Sequence, residues 1–261
     1  MAASPILRLR NLTYRYPGGQ SALDDVTLDV AEGERVAIVG PSGAGKSTLL
    51  LHLNGLLPDS LPRTADANGA AAVLVDGLPI SRDRLAEVRR DVGFLFQDPD
   101  DQLFCPSVGE DVAFGPLNMQ LSREEIDRHI AESLAAVDLA GYENRSTLAL
   151  SVGERKRVCL AGVLACRPKI LALDEPTSNL DPRARRQVMA ILDGLDATQI
   201  IATHNLDLVV GHCGRVIVLD EGRVRADGPP RTVLADPELM DRHGLEVPLR
   251  LLLDGGERDG L

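Results

Sequence analysis

Positive charge is scarce in this chain of 261 residues. It has 28 lysine and arginine residues against 39 aspartate and glutamate residues, which gives a formal net charge of -11 at pH 7. Non-specific binding to nucleic acid requires clustered positive charge, and so does adhesion to anionic lipid. The composition therefore argues against nucleic acid as a partner. It also indicates that any membrane contact is made through another protein.

Cysteine pairs and long apolar runs are lacking as well. The four cysteines form no CxxC pair, and no histidine lies at metal-ligand spacing from two of them, so we expect small buried side chains in a reducing compartment. No segment approaches the roughly 18 apolar residues of a spanning helix. The N-terminal MAASPILRLR lacks the apolar stretch of a signal peptide. These features predict a soluble, cytoplasmic protein.

Apolar strands alternate with helical patterns along most of the chain. The runs ERVAIVG, KILALDEP, QIIAT and RVIVLD are continuously apolar over most of their length, which is typical of parallel strands covered on both faces. ILRLRNLTYRY and ALDDVTLDV alternate in polarity and predict an antiparallel side sheet. The stretch SREEIDRHIAESLAAVDL predicts a helix capped by Ser122 and Glu125. We therefore predict an α/β fold with a mainly parallel core sheet, an antiparallel β side sheet and a helical subdomain.

The expected organisation follows from these patterns. We predict a main domain over residues 1–235, with the helical subdomain at about 99–160 within it. The tail over residues 236–261 is expected to be partly disordered, above all at DGGERDGL. PDSLPRTADANG is rich in turn-forming residues and predicts a surface loop.

A phosphate-binding loop is the strongest local signal. GPSGAGKS fits the pattern GxxxxGK[ST] and lies between a predicted strand and a predicted helix, the context that confirms this motif. Its glycines let backbone N–H groups surround phosphates, Lys46 would reach the β- and γ-phosphates, and Ser47 would ligate Mg²⁺. The residues expected to bind ATP here are Gly40, Pro41, Ser42, Gly43, Ala44, Gly45, Lys46, Ser47 and Thr48.

Two adjacent carboxylates end the apolar strand ILALDE. Buried acids are costly unless they are used, so Asp174 is predicted to hold Mg²⁺ and Glu175 to act as general base toward the attacking water. An exposed acidic strand end is the simpler interpretation of the dipeptide alone, but it is weak beside a phosphate loop. Together the two motifs predict a phosphate-loop NTPase and do not separate kinases, helicases and GTPases.

Further motifs follow in a fixed order. Gln97 ends the strand VGFLFQ, LSVGE begins a helix, SNLD follows the acid pair, and His204 follows QIIAT. The order and spacing resemble ABC ATPases over residues 6 to about 235, and LSVGE resembles their LSGGQ signature. The resemblance implies a dimer with a second ABC ATPase subunit, identical or a paralogue. ATP held by one phosphate loop would then face Ser151 and Gly153 of the other subunit.

The resemblance also implies roles for single residues. His204 would stabilise charge on the γ-phosphate, and Gln97 would contact Mg²⁺ or the attacking water and sense the transmembrane partner. Asp181 would bridge the subunit interface, while Glu154 belongs to the signature that contacts nucleotide. Tyr16 would stack on adenine, with Tyr14 on the same strand face as its rival.

Two positions depart from the family pattern. Val152 replaces the first signature glycine, and a β-branched residue there would crowd an anion site. Asn179 stands where alanine or glycine is commoner. Ser151, Gly153 and Glu175 are all present, so we expect an active enzyme in which the departures alter rate or nucleotide affinity.

The segment FQDPDDQLFCPSVGEDVAFGPLN resembles the corresponding segment of energy-coupling factor (ECF) transporter ATPases, including cobalt and nickel importers. The apolar residues expected at its surface are Leu103, Phe104 and Val108, and the neighbouring acids are Asp100, Asp101 and Glu110. An exposed apolar patch rimmed by charge predicts that a helix of a transmembrane coupling subunit docks near Gln97–Glu110. Val112 and Phe114 are expected in the core instead.

The cargo is indicated only by resemblance. The tail segment HGLEVPL is similar to the ends of cobalt/nickel-type subunits, which implies cobalt or nickel import, with a water-soluble vitamin as the alternative. A membrane substrate-binding subunit would meet this chain indirectly, and the chain would be peripheral on the cytoplasmic face of the cell membrane. Two other functions stay open: a non-transport ABC ATPase and an inactive nucleotide-binding regulatory subunit. Glu175 and His204 argue against the second.

Overall fold

The computed structural model describes residues 4–58 and 72–256. The chain forms two compact units: the first contains residues 1–88 and 198–261, and the second contains residues 89–197. Apart from its first proline, the predicted surface loop PDSLPRTADANG lies outside the described residues, as does the end of the tail at residues 257–261.

The elements are numbered in chain order. The strands are β1 (Leu7–Arg15), β2 (Ser21–Val30), β3 (Arg35–Val39), β4 (Val73–Val75), β5 (Leu78–Pro79), β6 (Val92–Leu95), β7 (Ile170–Asp174), β8 (Thr198–Ala202), β9 (Arg215–Asp220) and β10 (Arg223–Gly228). The helices are α1 (Lys46–Leu53), α2 (Leu85–Asp91), α3 (Val108–Asn118), α4 (Arg123–Ala136), α5 (Val152–Leu164), α6 (Pro182–Asp193), α7 (Leu206–His212), α8 (Pro230–Val233), α9 (Pro237–Arg242) and α10 (Leu249–Gly256).

The first unit contains the antiparallel side sheet that the alternating sequence predicts. Its strand order is β2-β1-β4-β5, and every pairing in it is antiparallel. Leu7, Leu9 and Leu12 of β1 are buried, while residues between them are half-buried or exposed. The alternation of apolar and polar residues therefore places one face of the sheet against the core.

The parallel strands are the continuously apolar ones, as predicted. In the first unit β3 lies between β8 and β9 and is parallel to both, with Ile38 opposite Ala202 on one side and Ile217 on the other. The hairpin partner β10 runs antiparallel to β9. In the second unit β6 and β7 are parallel, and every residue of both strands is buried. Parallel neighbours bring the carboxyl ends of their strands to one edge.

Most predicted helices form, although some ends differ. Helix α4 has the predicted capping box, in which Ser122 and Glu125 bond each other's backbone N–H. The helix expected at KSTLLLHLNGLL ends at Leu53, because Gly55 takes a positive φ of 68° that stops it. Helix α10 extends to Gly256 and so includes the first three residues of DGGERDGL, while partial disorder of the tail stays a prediction.

Burial of the cysteines is only partly as expected. Cys159 and Cys213 are buried, whereas Cys105 and Cys166 are half-buried, and all four are free thiols. Within residues 4–58 and 72–256, no helix has the length and apolarity needed to cross a membrane.

Candidate nucleotide-binding and catalytic site

The phosphate loop connects β3 to α1, as its sequence context predicts. Gly40 and Gly45 have φ angles of 154° and 103°. A Cβ atom at Gly40 would overlap the backbone oxygen of Leu219, and one at Gly45 would overlap that of Ala22. Only glycine fits both the conformation and the space, so the loop is a backbone cradle of the kind that surrounds phosphates.

Lys46 lies at the first position of α1, and its side chain folds back over the loop. Its Nζ atom donates hydrogen bonds to the carbonyl oxygens of Gly40 at 2.8 Å and Pro41 at 2.9 Å. A cavity of about 240 Å³ adjoins the loop; its lining residues are Tyr16, Gln20, Ser21, Ala22, Gly43, Ala44, Gly45, Lys46, Ser47 and Thr48. The ammonium is therefore held beside a cavity that the phosphate-loop residues Gly43, Gly45 and Ser47 help to line.

Tyr16 borders this cavity and is 36% exposed. Its hydroxyl lies 3.0 Å from Thr48 Oγ1, and its ring meets Tyr14 edge-to-face at 5.1 Å. Tyr14 packs in turn against the buried His52, with ring centroids 4.7 Å apart. The geometry thus favours Tyr16 over Tyr14 as the ring available to an adenine.

His52 is a residue of the site's support that sequence reasoning missed. Its Nδ1 atom lies 2.7 Å from the carbonyl oxygen of Thr48, one helical turn earlier in α1. Burial lowers the pKa of His52, and the contact with that carbonyl opposes the shift only in part. The neutral form of the ring is therefore favoured, and the ring packs behind Tyr14.

His204 follows β8, directly beside the strand that leads into the phosphate loop. Its side chain is exposed. The neighbouring residues fix the turn: Thr203 donates its backbone N–H to Ile38, and Asn205 caps α7 by accepting the N–H of Leu208 at 3.1 Å. The loop and His204 thus leave the same edge of one sheet, because β3 and β8 are parallel neighbours.

In the second unit, the acid pair ends β7 inside the protein. Asp174 and Glu175 are only 8% and 7% exposed. Glu175 has a φ of 45°, in the left-handed region that non-glycine residues rarely adopt. Its carbonyl accepts hydrogen bonds from the Ser178 backbone N–H at 3.2 Å and the Ser178 hydroxyl at 3.0 Å. A buried carboxylate on a strained, locked backbone is a feature that proteins keep at functional positions.

The signature turn begins α5 with Ser151 as its N-cap. The Ser151 backbone N–H and hydroxyl donate to Glu154 Oε2 at 2.9 and 2.7 Å, and Tyr142 donates its hydroxyl to Oε1 at 3.0 Å. These bonds, first of all the one from the Ser151 hydroxyl, lower the pKa of Glu154. Glu154 therefore shapes the Ser151 turn, and a direct nucleotide contact by Glu154 stays a prediction. Tyr142 belongs to none of the sequence motifs, so its contact with Glu154 was not predicted.

Gly153 allows α5 to begin close to α6. A Cβ atom at Gly153 would lie 2.7 Å from the Cβ of Ala184. Asp181 caps α6 by accepting the N–H groups of Arg183 at 2.7 Å and Ala184 at 3.0 Å. A groove of about 620 Å³ runs here; the signature and acid-loop residues that line it include Ser151, Val152, Gly153, Glu154, Asn179 and Asp181. The signature residues and Asp181 thus line the same groove.

The two departures from the family pattern have different consequences. Asn179 has a φ of 59°, a conformation that asparagine tolerates better than most residues with a Cβ atom, so the substitution is compatible with the turn. Val152 is 42% exposed on the groove. Its branched side chain therefore occupies surface that a glycine would leave open.

Comparison with known proteins decides the family. Residues 23–178 match the sequence profile of the family described as ABC transporter. The chain belongs to the ABC transporter family. The predictions of an ABC ATPase fold and of ATP binding and hydrolysis are thereby confirmed.

Relatives place this ABC ATPase among the energy-coupling factor type. The energy-coupling factor transporter ATP-binding protein EcfA of Methanothermobacter thermautotrophicus is 45% identical, over 93% of this chain and 77% of its own length. A putative ABC transporter ATP-binding protein of Gloeobacter violaceus is 49% identical, over 94% of this chain and 98% of its own length.

Solved structures of similar proteins confirm the fold. CbiO1 from Clostridium perfringens, described as part of the ABC transporter complex cbiONQ, has a TM-score of 0.77 and 38% identity, covering 97% of this chain and 100% of its own. A dimeric ATP-binding cassette in a post-hydrolysis state, bound to ADP and Pi, has a TM-score of 0.72 and 30% identity, covering 86% and 98%.

The segment after Gln97 carries an exposed aromatic pair, and two expectations for it are wrong. Phe104 and Phe114 are 65% and 49% exposed, with ring centroids 4.8 Å apart and edge-to-face. Phe114 was expected in the core, and Val108 at the surface. Val108 and Val112, four residues apart on α3, lie on the same side of the helix and are both buried. Phe114 then falls on the exposed side.

Proposed function

We propose that this ABC ATPase hydrolyses Mg²⁺-ATP as one subunit of a dimer and thereby powers an ECF-type importer at the cytoplasmic face of the cell membrane. The placement of Glu175 carries the proposal, because a buried carboxylate on a left-handed backbone is retained only under constraint. ATP fits the chain, since the phosphate loop is a glycine cradle in which a Cβ atom would collide with neighbouring backbone.

Within this proposal each residue of the site acts on a specific atom. Glu175 takes a proton from the attacking water, which Gln97 helps to orient. Lys46 and His204 stabilise the charge that develops on the γ-phosphate oxygens. Ser47 and Asp174 would supply the hard oxygen donors that Mg²⁺ prefers. A bound ion would neutralise negative charge on the phosphates.

The dimer supplies the second half of each site. Ser151, Gly153 and the N-terminus of α5 form an anion-binding turn that would face the γ-phosphate held by a partner ATPase, either a second copy or a paralogue. Asp181 lines the same groove and would meet the partner. The dimeric state of the ATP-binding cassette with 30% identity supports this arrangement.

The aromatic pair Phe104 and Phe114 gives the membrane partner a place to dock. Both rings are exposed, and the acids Asp100, Asp101 and Glu110 lie in the same segment. An apolar patch with a charged rim is typical of an interaction site. We assign it to a helix of the transmembrane coupling subunit. Through that subunit, the chain would serve a membrane substrate-binding subunit that it does not touch.

The docking assignment is tested by co-purification from membranes. Phe104→Asp and Phe114→Asp should each abolish recovery of the membrane subunit with the tagged ATPase. Leu148→Asp, at another exposed apolar side chain, is the matched control and should leave recovery intact. Equal recovery in all three variants would place the partner elsewhere.

The cargo of the importer is proposed to be cobalt or nickel. The tail segment HGLEVPL, which resembles the ends of cobalt/nickel-type subunits, supports this choice. The complex purified with its membrane subunits should be reconstituted in vesicles, and ATP-driven uptake of Co²⁺ and Ni²⁺ should be compared with uptake of a water-soluble vitamin. Uptake of the vitamin alone would show that the cargo is a water-soluble vitamin and not cobalt or nickel.

The central test is ATP turnover by Glu175→Gln. Loss of a general base should reduce kcat by about 10² to 10⁴-fold. Glu221→Gln is the matched control, because Glu221 also has a positive φ, 50°, but is exposed and paired with Arg225. Equal turnover in wild type and Glu175→Gln would remove Glu175 from the chemistry.

A further inference from the structure

The turn that carries Gln97 is fastened to the signature helix α5 by a buried lysine. Lys156 is only 1% exposed. Its Nζ atom donates hydrogen bonds to the carbonyl oxygens of Phe96 at 2.9 Å and Gln97 at 2.7 Å. Lys156 lies five residues after Ser151 on the same helix, so a single element connects the signature turn to the backbone of Gln97.

Two further side chains hold the same segment. Gln102 accepts the backbone N–H of Phe96 with Oε1 at 3.2 Å and donates from Nε2 to the Cys159 carbonyl of α5 at 3.0 Å. Arg155 of α5 forms an ion pair with Asp100. Three side chains, Lys156, Gln102 and Arg155, therefore tie residues 96–102 to α5.

Burial of the Lys156 ammonium is energetically unfavourable, so the presence of a lysine at this position needs an explanation. An ammonium removed from water loses solvation that two neutral carbonyls replace only in part. Burial lowers the pKa of Lys156, and the carboxylates of Asp174, Asp98 and Glu175 oppose that shift. An apolar residue of the same length would fill the space without this penalty. The lysine is therefore best explained by what its two hydrogen bonds hold.

We propose that Lys156 is a positioning residue that makes the Gln97 turn and the Ser151 turn move as one body. A displacement of Gln97 by the membrane partner would then shift the signature, and closure of the signature on nucleotide would draw in Gln97. The inference rests on the proposed roles of Gln97 and Ser151. Lys156 acts through the backbone of Gln97, whose carbonyl oxygen accepts its hydrogen bond.

A double-mutant cycle on ATP turnover tests this coupling. Lys156→Met keeps the length of the side chain and removes the donors; it should lower kcat about tenfold, since misplacing a positioned group by a fraction of an ångström has effects of this order. KM for ATP should change little. In the Gln97→Ala background, which retains the backbone carbonyl, the Lys156→Met loss should disappear. Lys169→Met, at a half-exposed lysine paired with Asp91, should leave kcat unchanged.

The outcomes separate the inference from the proposed function. A tenfold loss of kcat in both backgrounds would show that Lys156 acts independently of Gln97 and would overturn the inference. Unchanged turnover in Gln97→Ala would overturn the proposed role of Gln97, and the inference with it. Melting temperatures of the variants show whether a loss of turnover is caused by unfolding. If Lys156→Met is unfolded, Gln102→Met replaces it in the same cycle and is judged by the same two results.

Discussion

The hydroxyl of Ser151 donates a 2.7 Å hydrogen bond to the carboxylate of Glu154, which also accepts the Ser151 backbone N–H at 2.9 Å. The donor that the proposed mechanism directs at a γ-phosphate is thus engaged by a negative charge one helical turn away. Glu154 both shapes the anion-binding turn and opposes an anion there.

Replacing this carboxylate with a neutral amide should strengthen nucleotide binding. Glu154→Gln keeps an acceptor for Ser151 and removes the charge, so KM for ATP should fall by a few-fold, a small effect because the group is partly exposed to solvent. Steady-state kinetics at low and at high ionic strength measure it. The gain should shrink as salt rises, and a gain that is independent of salt would mean that the charge is not its cause.

The same hydrogen bonds predict a pH effect on stability. The pKa of Glu154 is lowered in the folded protein, chiefly by the Ser151 hydroxyl, so the stabilisation is present above the unfolded pKa and is lost as pH falls through the folded pKa. Ser151→Ala should return the carboxyl toward its ordinary pKa of 4.5. Carboxyl NMR titration of wild type and variant detects the shift, and identical titrations would contradict the role given to Ser151.

Alanine substitutions at two glycines of the phosphate loop allow the effect of steric overlap to be compared with that of backbone strain alone. Gly40→Ala adds a Cβ that would overlap the Leu219 oxygen, whereas Gly43, with a φ of 80°, has no atom within 4 Å of an added Cβ. Gly40→Ala should therefore destabilise the protein by more than Gly43→Ala, for which about 1–3 kcal/mol of strain is expected. Denaturant unfolding ranks the two, and a larger loss at Gly43 would contradict the overlap.

Most of the fold and much of the site could be predicted because their signals are local. Continuous apolar runs identified the parallel strands, and the serine–glutamate spacing at Ser122 identified a helix start. The exposure of Phe114 could not be predicted in this way, because tertiary packing decides which side of α3 faces the core, even though the Ser107 cap has the same serine–glutamate spacing. The positive φ of Glu175 and the contacts of Lys156 arise from tertiary packing, which no short sequence pattern records.

The two tyrosines of β1 should respond differently to truncation. Tyr16 borders the phosphate-loop cavity, so Tyr16→Ala should weaken ATP binding by about 1–3 kcal/mol, the usual worth of stacking between a base and an aromatic ring, whereas Tyr16→Phe keeps the ring and should bind nearly as well as wild type. Tyr14 packs on His52, so Tyr14→Ala should lower the melting temperature and change affinity less. Fluorescent-nucleotide titration and thermal unfolding give both quantities. A larger affinity loss in a folded Tyr14→Ala than in Tyr16→Ala would reverse the assignment, because only a ring that contacts the base contributes stacking energy.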